Sequence, residues 1–150
     1  MERAIQLSIE NVRAGSGGPF AALVVRDGAI LATGTNQVTT SQDPTAHAEI
    51  VAIRSACLAI RDFQLHGCEL YTTCEPCPMC MGAIYWARLE KVHYANTRED
   101  AARLGFDDLF IYDQIALPVE SRKIPMIPIM REQALEAFRA WDKSQAKVRY

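Results

Sequence analysis

Three soft-metal ligands and one spare carboxylate stand out in this chain. His47-Ala48-Glu49 is followed by Cys77-Pro78-Met79-Cys80, with 29 residues between His47 and Cys77. One imidazole and two thiolates fill three corners of a tetrahedral zinc and leave the fourth to water, the ligand count of a catalytic rather than a structural site. A water held there has its pKa lowered to roughly 7, so hydroxide is available to attack an electron-poor carbon. If that carbon carries an amino group, the neighbouring ring nitrogen and the departing amine must each gain a proton. One carboxylate beside the water can do both jobs in turn, and Glu49 is the candidate.

Other readings of these residues are open to the sequence. Cys74 creates a second, overlapping Cys-x-x-Cys pair with Cys77. A ferredoxin-like cluster needs a fourth closely spaced cysteine, and nothing after Cys80 supplies one. A dithiol redox pair leaves His47 and Glu49 without a purpose. Cys74 as a fourth ligand would close the tetrahedron and make a non-enzymatic zinc-binding module. Glu49 by itself also fits a first-turn helix residue favoured by the helix dipole. Zinc, one per chain, accounts for the whole set. Cys57 and Cys68 are read as core thiols, and His66 and His93 as surface or satisfied histidines.

The elements that must position these groups follow from periodicity. Cys77 and Cys80, spaced i, i+3, share one side of a helical turn in a helix expected over 78–88. His47 and Glu49 stand about 200° apart on a helix and cannot converge on its flank, only off its N-terminal end. A helix over 44–62, capped by Asp43 and opened by Pro44, puts Ile50, Ile53, Cys57 and Ile60 inward. Two helix N-termini, each begun by a proline, should therefore face one metal. A first helix over 2–14 carries Ile5, Ile9 and Val12 as its apolar stripe. Strands are expected over 21–26 and 30–36 around the hairpin signal Asp27-Gly28, then over 69–73, 92–95 and 127–130. A short helix over 100–104 and a final helix over 132–146 complete the reading, with 117–128 mostly loop around Pro118, Pro125 and Pro128.

Composition narrows the class. A chain of 150 residues with 49% hydrophobic and 23% charged residues fits one globular domain, residues 1–150. It has no apolar run of about 18 residues that would span a membrane and no signal-peptide pattern at its start. Five cysteines, three of them clustered, suit metal binding in a reducing cytoplasm. A net charge of −2 gives no general attraction to a polyanion.

At its motif residues the chain resembles the cytidine deaminase-like superfamily, and within it the bacterial guanine deaminases. The matching stretches are Gly17-Gly18-Pro19-Phe20, Asn36 with Val38-Thr39-Thr40, Asp43 to Glu49, Cys74 to Cys80 and Gly82 to Arg88. Gly105-Phe106-Asp107-Asp108, Phe110-Ile111-Tyr112 and the terminal Tyr150 are the parts that point to guanine. The zinc motif alone is shared with cytosine, tRNA-adenosine and mRNA-editing deaminases. The resemblance implies an α/β fold: a three-layer α/β/α sandwich with a five-stranded mixed sheet. It also implies a homodimer, with C-terminal segment exchange between subunits an open possibility, and a small purine base as substrate. By that resemblance Glu49 is the proton shuttle, and His47, Cys77 and Cys80 hold the zinc. Asn36 reads a base edge, the Ala48 backbone N–H binds a carbonyl oxygen, and Asp108 accepts a ring N–H. Phe20 and Trp86 wall or stack on the purine, and Tyr150 closes over the site as a lid in its own subunit or its partner. Taken by themselves, Asn36 also reads as a turn residue, Phe20 and Trp86 as core aromatics and Tyr150 as a frayed tail. The same-class rival, a tRNA-specific adenosine deaminase, needs clustered Lys and Arg for phosphates. Lys143 and Lys147 are interrupted by Asp142, Glu136 and Glu132, a solvated helix face. No nucleic-acid partner is expected.

Overall fold

Asp27 and Gly28 both hold positive φ (50° and 77°), as a two-residue hairpin turn demands. Around them β1 (Ala21–Arg26) and β2 (Ala29–Thr35) pair antiparallel, with a register shift between Val24 and Val25. This computed structural model describes residues 1–149. β3 (Cys68–Cys74) lies antiparallel to β1, with Ala22 opposite Thr72. β4 (Lys91–Asn96) runs parallel to β3, with Leu70 opposite Val92. The order β2-β1-β3-β4 makes a mixed sheet of four strands among the described residues. The fifth strand expected at Ile127–Met130 is absent there: the segment is irregular. Pro128 has no N–H to give a ladder, and Met130 takes a left-handed φ of 52° at the entry to a helix.

Helices cover both faces. α1 (Glu2–Arg13) packs on β1 and β3. Its expected stripe does not face the sheet. Ile5, Ile9 and Val12 are 42–49% exposed, whereas Ala4, Ser8 and Asn11, the positions beside them on the helix, are buried. Small residues let the helix lie close to the strands, and Asn11 offsets its burial with hydrogen bonds to the Gly18 and Asn36 carbonyls. After the short α2 (Val38–Ser41) comes α3 (Ala48–Ile60), which packs on β2 and β1 and against α4 (Pro78–Trp86). Ala22, Val24 and Leu70 alternate onto this face and meet Ala52, Ile53, Ala56 and Ile84 in the main core. Fully burying a side chain such as Val24 or Leu70 contributes about 1.5–3 kcal/mol. Ile50 and Ile53 are buried as expected, and Cys57 and Ile60 are partly so.

The expected helix start at Pro44 is corrected. Asp43 Oδ1 instead accepts from the Thr45 N–H and hydroxyl at 2.8 and 2.7 Å, a local turn that delays the helix to Ala48. α5 (Arg98–Ala102) begins earlier than expected, because Thr97 and Asp100 form a reciprocal capping box.

The chain divides into two compact units, residues 1–108 and 109–150. The second contains α6 (Leu109–Ala116), which periodicity did not announce, a 3₁₀ turn at Val119–Ser121 and α7 (Arg131–Lys143). Among the described residues no helix is long and apolar enough to cross a membrane.

Candidate active site

His47 is the N-cap of α3, and Cys77 is the N-cap of α4. Both have extended backbones, with ψ of 154° and 168°, as this position requires. An N-cap side chain leaves off the end of its helix rather than from the flank. Neither caps its own helix by a side-chain hydrogen bond; the two turn toward each other. Only α4 opens with a proline, but the convergence of two helix N-termini stands.

The donor set fits zinc. His47 Nδ1 lies 3.5 Å from both Cys77 Sγ and Cys80 Sγ, and all three ligand atoms lie within 4.8 Å of one another. Tetrahedral zinc with bonds of about 2.0–2.1 Å to nitrogen and about 2.3 Å to sulfur spaces N from S by about 3.5 Å. The hydrogen bond from Cys80 and the contact with His47 hold Cys77 down to about 4 against the effect of burial. The same bond to Cys77, together with burial, pushes Cys80 up. His47 is raised by its bond to Cys77. Cysteine ligands bind a metal as thiolates, so metal binding here would release protons.

Cys74 does not complete the tetrahedron. Its thiol donates to the Thr97 carbonyl at 3.6 Å, and burial raises its pKa to about 11. It belongs to no metal-ligating group among the described residues, so the donor set stops at three.

Glu49, the second residue of α3, is 6% exposed. Its Oε2 accepts from Cys80 Sγ at 3.5 Å and its Oε1 from Thr72 Oγ1 at 3.3 Å. Burial raises its pKa, the direction suited to a group that both takes and gives a proton near neutral pH.

Asn36, just after β2, is 8% exposed. Its Oδ1 accepts from the Gly18 and Val38 backbone N–H groups at 3.2 and 3.4 Å. Backbone N–H groups only donate, so the side-chain orientation is fixed and its NH₂ is the donor left for a ligand. Asn11 Nδ2 bridges the Gly18 and Asn36 carbonyls, both at 3.0 Å. A Cβ on Gly17 would lie 2.1 Å from Asn36 O, so this turn admits only glycine there. Ala48 is fully buried, and its first-turn N–H has no intrahelical partner. Phe20 packs on the core and meets Phe106 edge-on at 5.0 Å. Asp108 is half-buried, its pKa raised by burial and by the Cys77 thiolate, and its charge is felt in turn by His47. The structure thus brings Asp108 to the cluster.

Trp86 is on the helix that the cysteines open. It ends α4, eight residues or about 12 Å from the helix start beside the ligands, and is 61% exposed. Tyr150 lies outside the described residues. His66 bonds Gln64, and His93 bonds Glu69 and stacks on Tyr71, as satisfied histidines do. Sequence reasoning passed over Thr72, Asn11 and Phe106. The signal for Thr72 was present: it is a polar residue between Leu70 and Cys74 on the inward alternation of β3.

Comparisons with known proteins agree with this geometry. Residues 1–96 match the family model described as the cytidine and deoxycytidylate deaminase zinc-binding region. The whole chain is 54% identical to a guanine deaminase of Bacillus subtilis, covering 96% of it. The X-ray structure of guanine deaminase from that organism superposes with a TM-score of 0.96 over 99% of this chain and 95% of that one. A tRNA-specific adenosine deaminase of Aquifex aeolicus is 46% identical over 77 residues, 51% of each chain. With three zinc donors at tetrahedral spacing, a carboxylate against them and a family match across the sheet and both ligand-bearing helices, the chain belongs to the cytidine and deoxycytidylate deaminase zinc-binding family.

Proposed function

We propose that the chain deaminates guanine: guanine and water give xanthine and ammonia. Three soft donors with no fourth protein ligand among the described residues, set against a buried carboxylate, carry the deaminase part. Similarity along the entire chain carries the guanine part, since the guanine deaminase relative matches all 150 residues and the tRNA-specific relative about half.

His47, Cys77 and Cys80 would hold the zinc, which supplies a water of lowered pKa and charge stabilisation at the attacked carbon. Glu49 would move both protons: one from the attacking water to the ring nitrogen beside the amino-bearing carbon, and then the one on the newly added hydroxyl to the leaving amine, as that hydroxyl becomes the carbonyl of xanthine. The Asn36 NH₂ and the Ala48 N–H donate to purine acceptors. Asp108 accepts a ring N–H at the nitrogen that bears the sugar in a nucleoside, which selects the free base. Phe20 offers its face to the purine.

A homodimer belongs to the same proposal. Phe110, Ile115, Ile127, Phe138 and Trp141 are all at least 45% exposed, and the unit over 109–150 has no buried side chain among its described residues. A second copy that receives this segment by exchange would cover such surface. Tyr150 would then close a site as a lid, in its own subunit or its partner, and sedimentation velocity that gives a dimer supports the homodimer. The zinc site and purine salvage chemistry suit the cytoplasm.

The substrate is tested by ammonia release from guanine, guanosine, cytosine, cytidine, adenine and a tRNA anticodon stem-loop. Guanine alone should turn over fast. Release from cytidine or the stem-loop without release from guanine overturns the proposal.

A further inference from the structure

We infer that Thr72 is the positioning residue for the Glu49 carboxylate; the inference rests on the catalytic role proposed for Glu49. Thr72 is 1% exposed and sits mid-strand in β3. Its hydroxyl, on the face that looks at α3, donates to Glu49 Oε1 at 3.3 Å. A buried hydroxyl in apolar surroundings is costly unless it is hydrogen-bonded, and a buried carboxylate needs fixed donors even more.

Glu49 has a second contact of a different kind. Oε2 is met by the Cys80 thiol at 3.5 Å. Cys80 is one of the three metal donors, and as a ligand it is a thiolate with no proton to give. The hydrogen bond from Thr72 does not depend on the metal. It holds Oε1 and leaves Oε2 on the side of the ligand sulfur.

Thr72 is also a rigid anchor. Its backbone is paired on both sides, with Ala22 of β1 and Tyr94 of β4, and a β-branched side chain has a restricted χ1. Glu49, by contrast, has a flexible stem in the first turn of α3. One fixed donor selects the rotamer that keeps the carboxylate at the ligands.

The test compares T72V, which removes the hydroxyl at nearly constant volume, with T72S, which keeps it. T72V should lower kcat on guanine about 10- to 100-fold with KM little changed, and T72S should recover most of the loss. Zinc content stays near one per chain in both. In zinc-free protein the infrared band of the Glu49 carboxyl group, assigned by its loss in E49Q, shifts in T72V and returns in T72S. The double variant T72V/E49Q is no slower than E49Q, because Thr72 acts through Glu49; if T72V folds poorly, T72A replaces it in every arm. A T72V enzyme within twofold of wild type, an unmoved band, or multiplied losses in the double variant overturns the inference. An inactive E49Q beside a fully active T72V withdraws Thr72 alone, whereas a fully active E49Q withdraws both roles.

Discussion

Replacing Gly34 with Ala forces α3, which carries His47 and Glu49, away from the sheet. A Cβ built on Gly34 stands 2.3 Å from Ala48 O and 2.5 Å from Ala52 N. Ordinary contact begins near 3.4 Å, so the gap must open by about 1 Å. Both neighbours are helix backbone, which cannot rotate aside as a flexible side chain would. The helix start therefore shifts as a body, and with it the N-cap His47 and the adjacent Glu49. Overpacking of this kind costs about 1–3 kcal/mol, or roughly 2–12 °C in Tm for a chain of this size. A misplacement of about 1 Å at the reacting groups costs about 10²-fold in rate. Thermal melting, zinc titration and steady-state kinetics on guanine should show all three: a lower Tm, weaker zinc binding and a kcat loss of that order. A G34A enzyme with wild-type kcat and Tm would refute the claim that this close approach sets the catalytic geometry.

Gly82 provides the contrast, since a Cβ there meets nothing within 4 Å; G82A should stabilise α4 by about 0.5–1 kcal/mol with kcat unchanged, read by denaturant melts and kinetics. Chelation of zinc should abolish turnover and lower Tm, and stoichiometric zinc should restore both. In the zinc-free protein, burial raises Glu49 above its usual 4.5, so the folded chain keeps a proton that the unfolded chain releases. That contribution is fully present below about pH 4.5 and is lost as pH rises through the raised value, by about 1.4 kcal/mol for each pH unit that separates the folded and unfolded values. Zinc-free E49Q should therefore gain stability over zinc-free wild type as pH rises from 4.5, in paired urea melts; parallel curves would contradict the burial.

The metal donors were legible because ligand chemistry dictates residue type and spacing directly. Their placement off two helix ends was legible as well, from the angle between His47 and Glu49. The route was not: Asp43 commits its carboxylate to Thr45, so α3 starts at Ala48 with His47 as cap. The sheet was misread at one edge. Ile127, Ile129 and Met130 are apolar enough for a strand, but Pro128 cannot donate to a ladder, and four strands are seen among the described residues. The apolar stripe of α1 was legible but not which side packs: Ala4, Ser8 and Asn11 allow the closer approach and are the buried side. Asn11 and Thr72 work through hydrogen bonds that span 25 and 23 residues of chain, and no local pattern encodes such pairings.

Glu49 is central as the group that moves protons beside the zinc donors. E49Q, prepared with zinc and assayed for ammonia release from guanine, tests that role most directly. The expected result is about one zinc per chain and a kcat reduced by orders of magnitude, at least the 10²–10⁴-fold typical of a lost general acid–base group. A zinc-loaded E49Q enzyme with near wild-type kcat would contradict it.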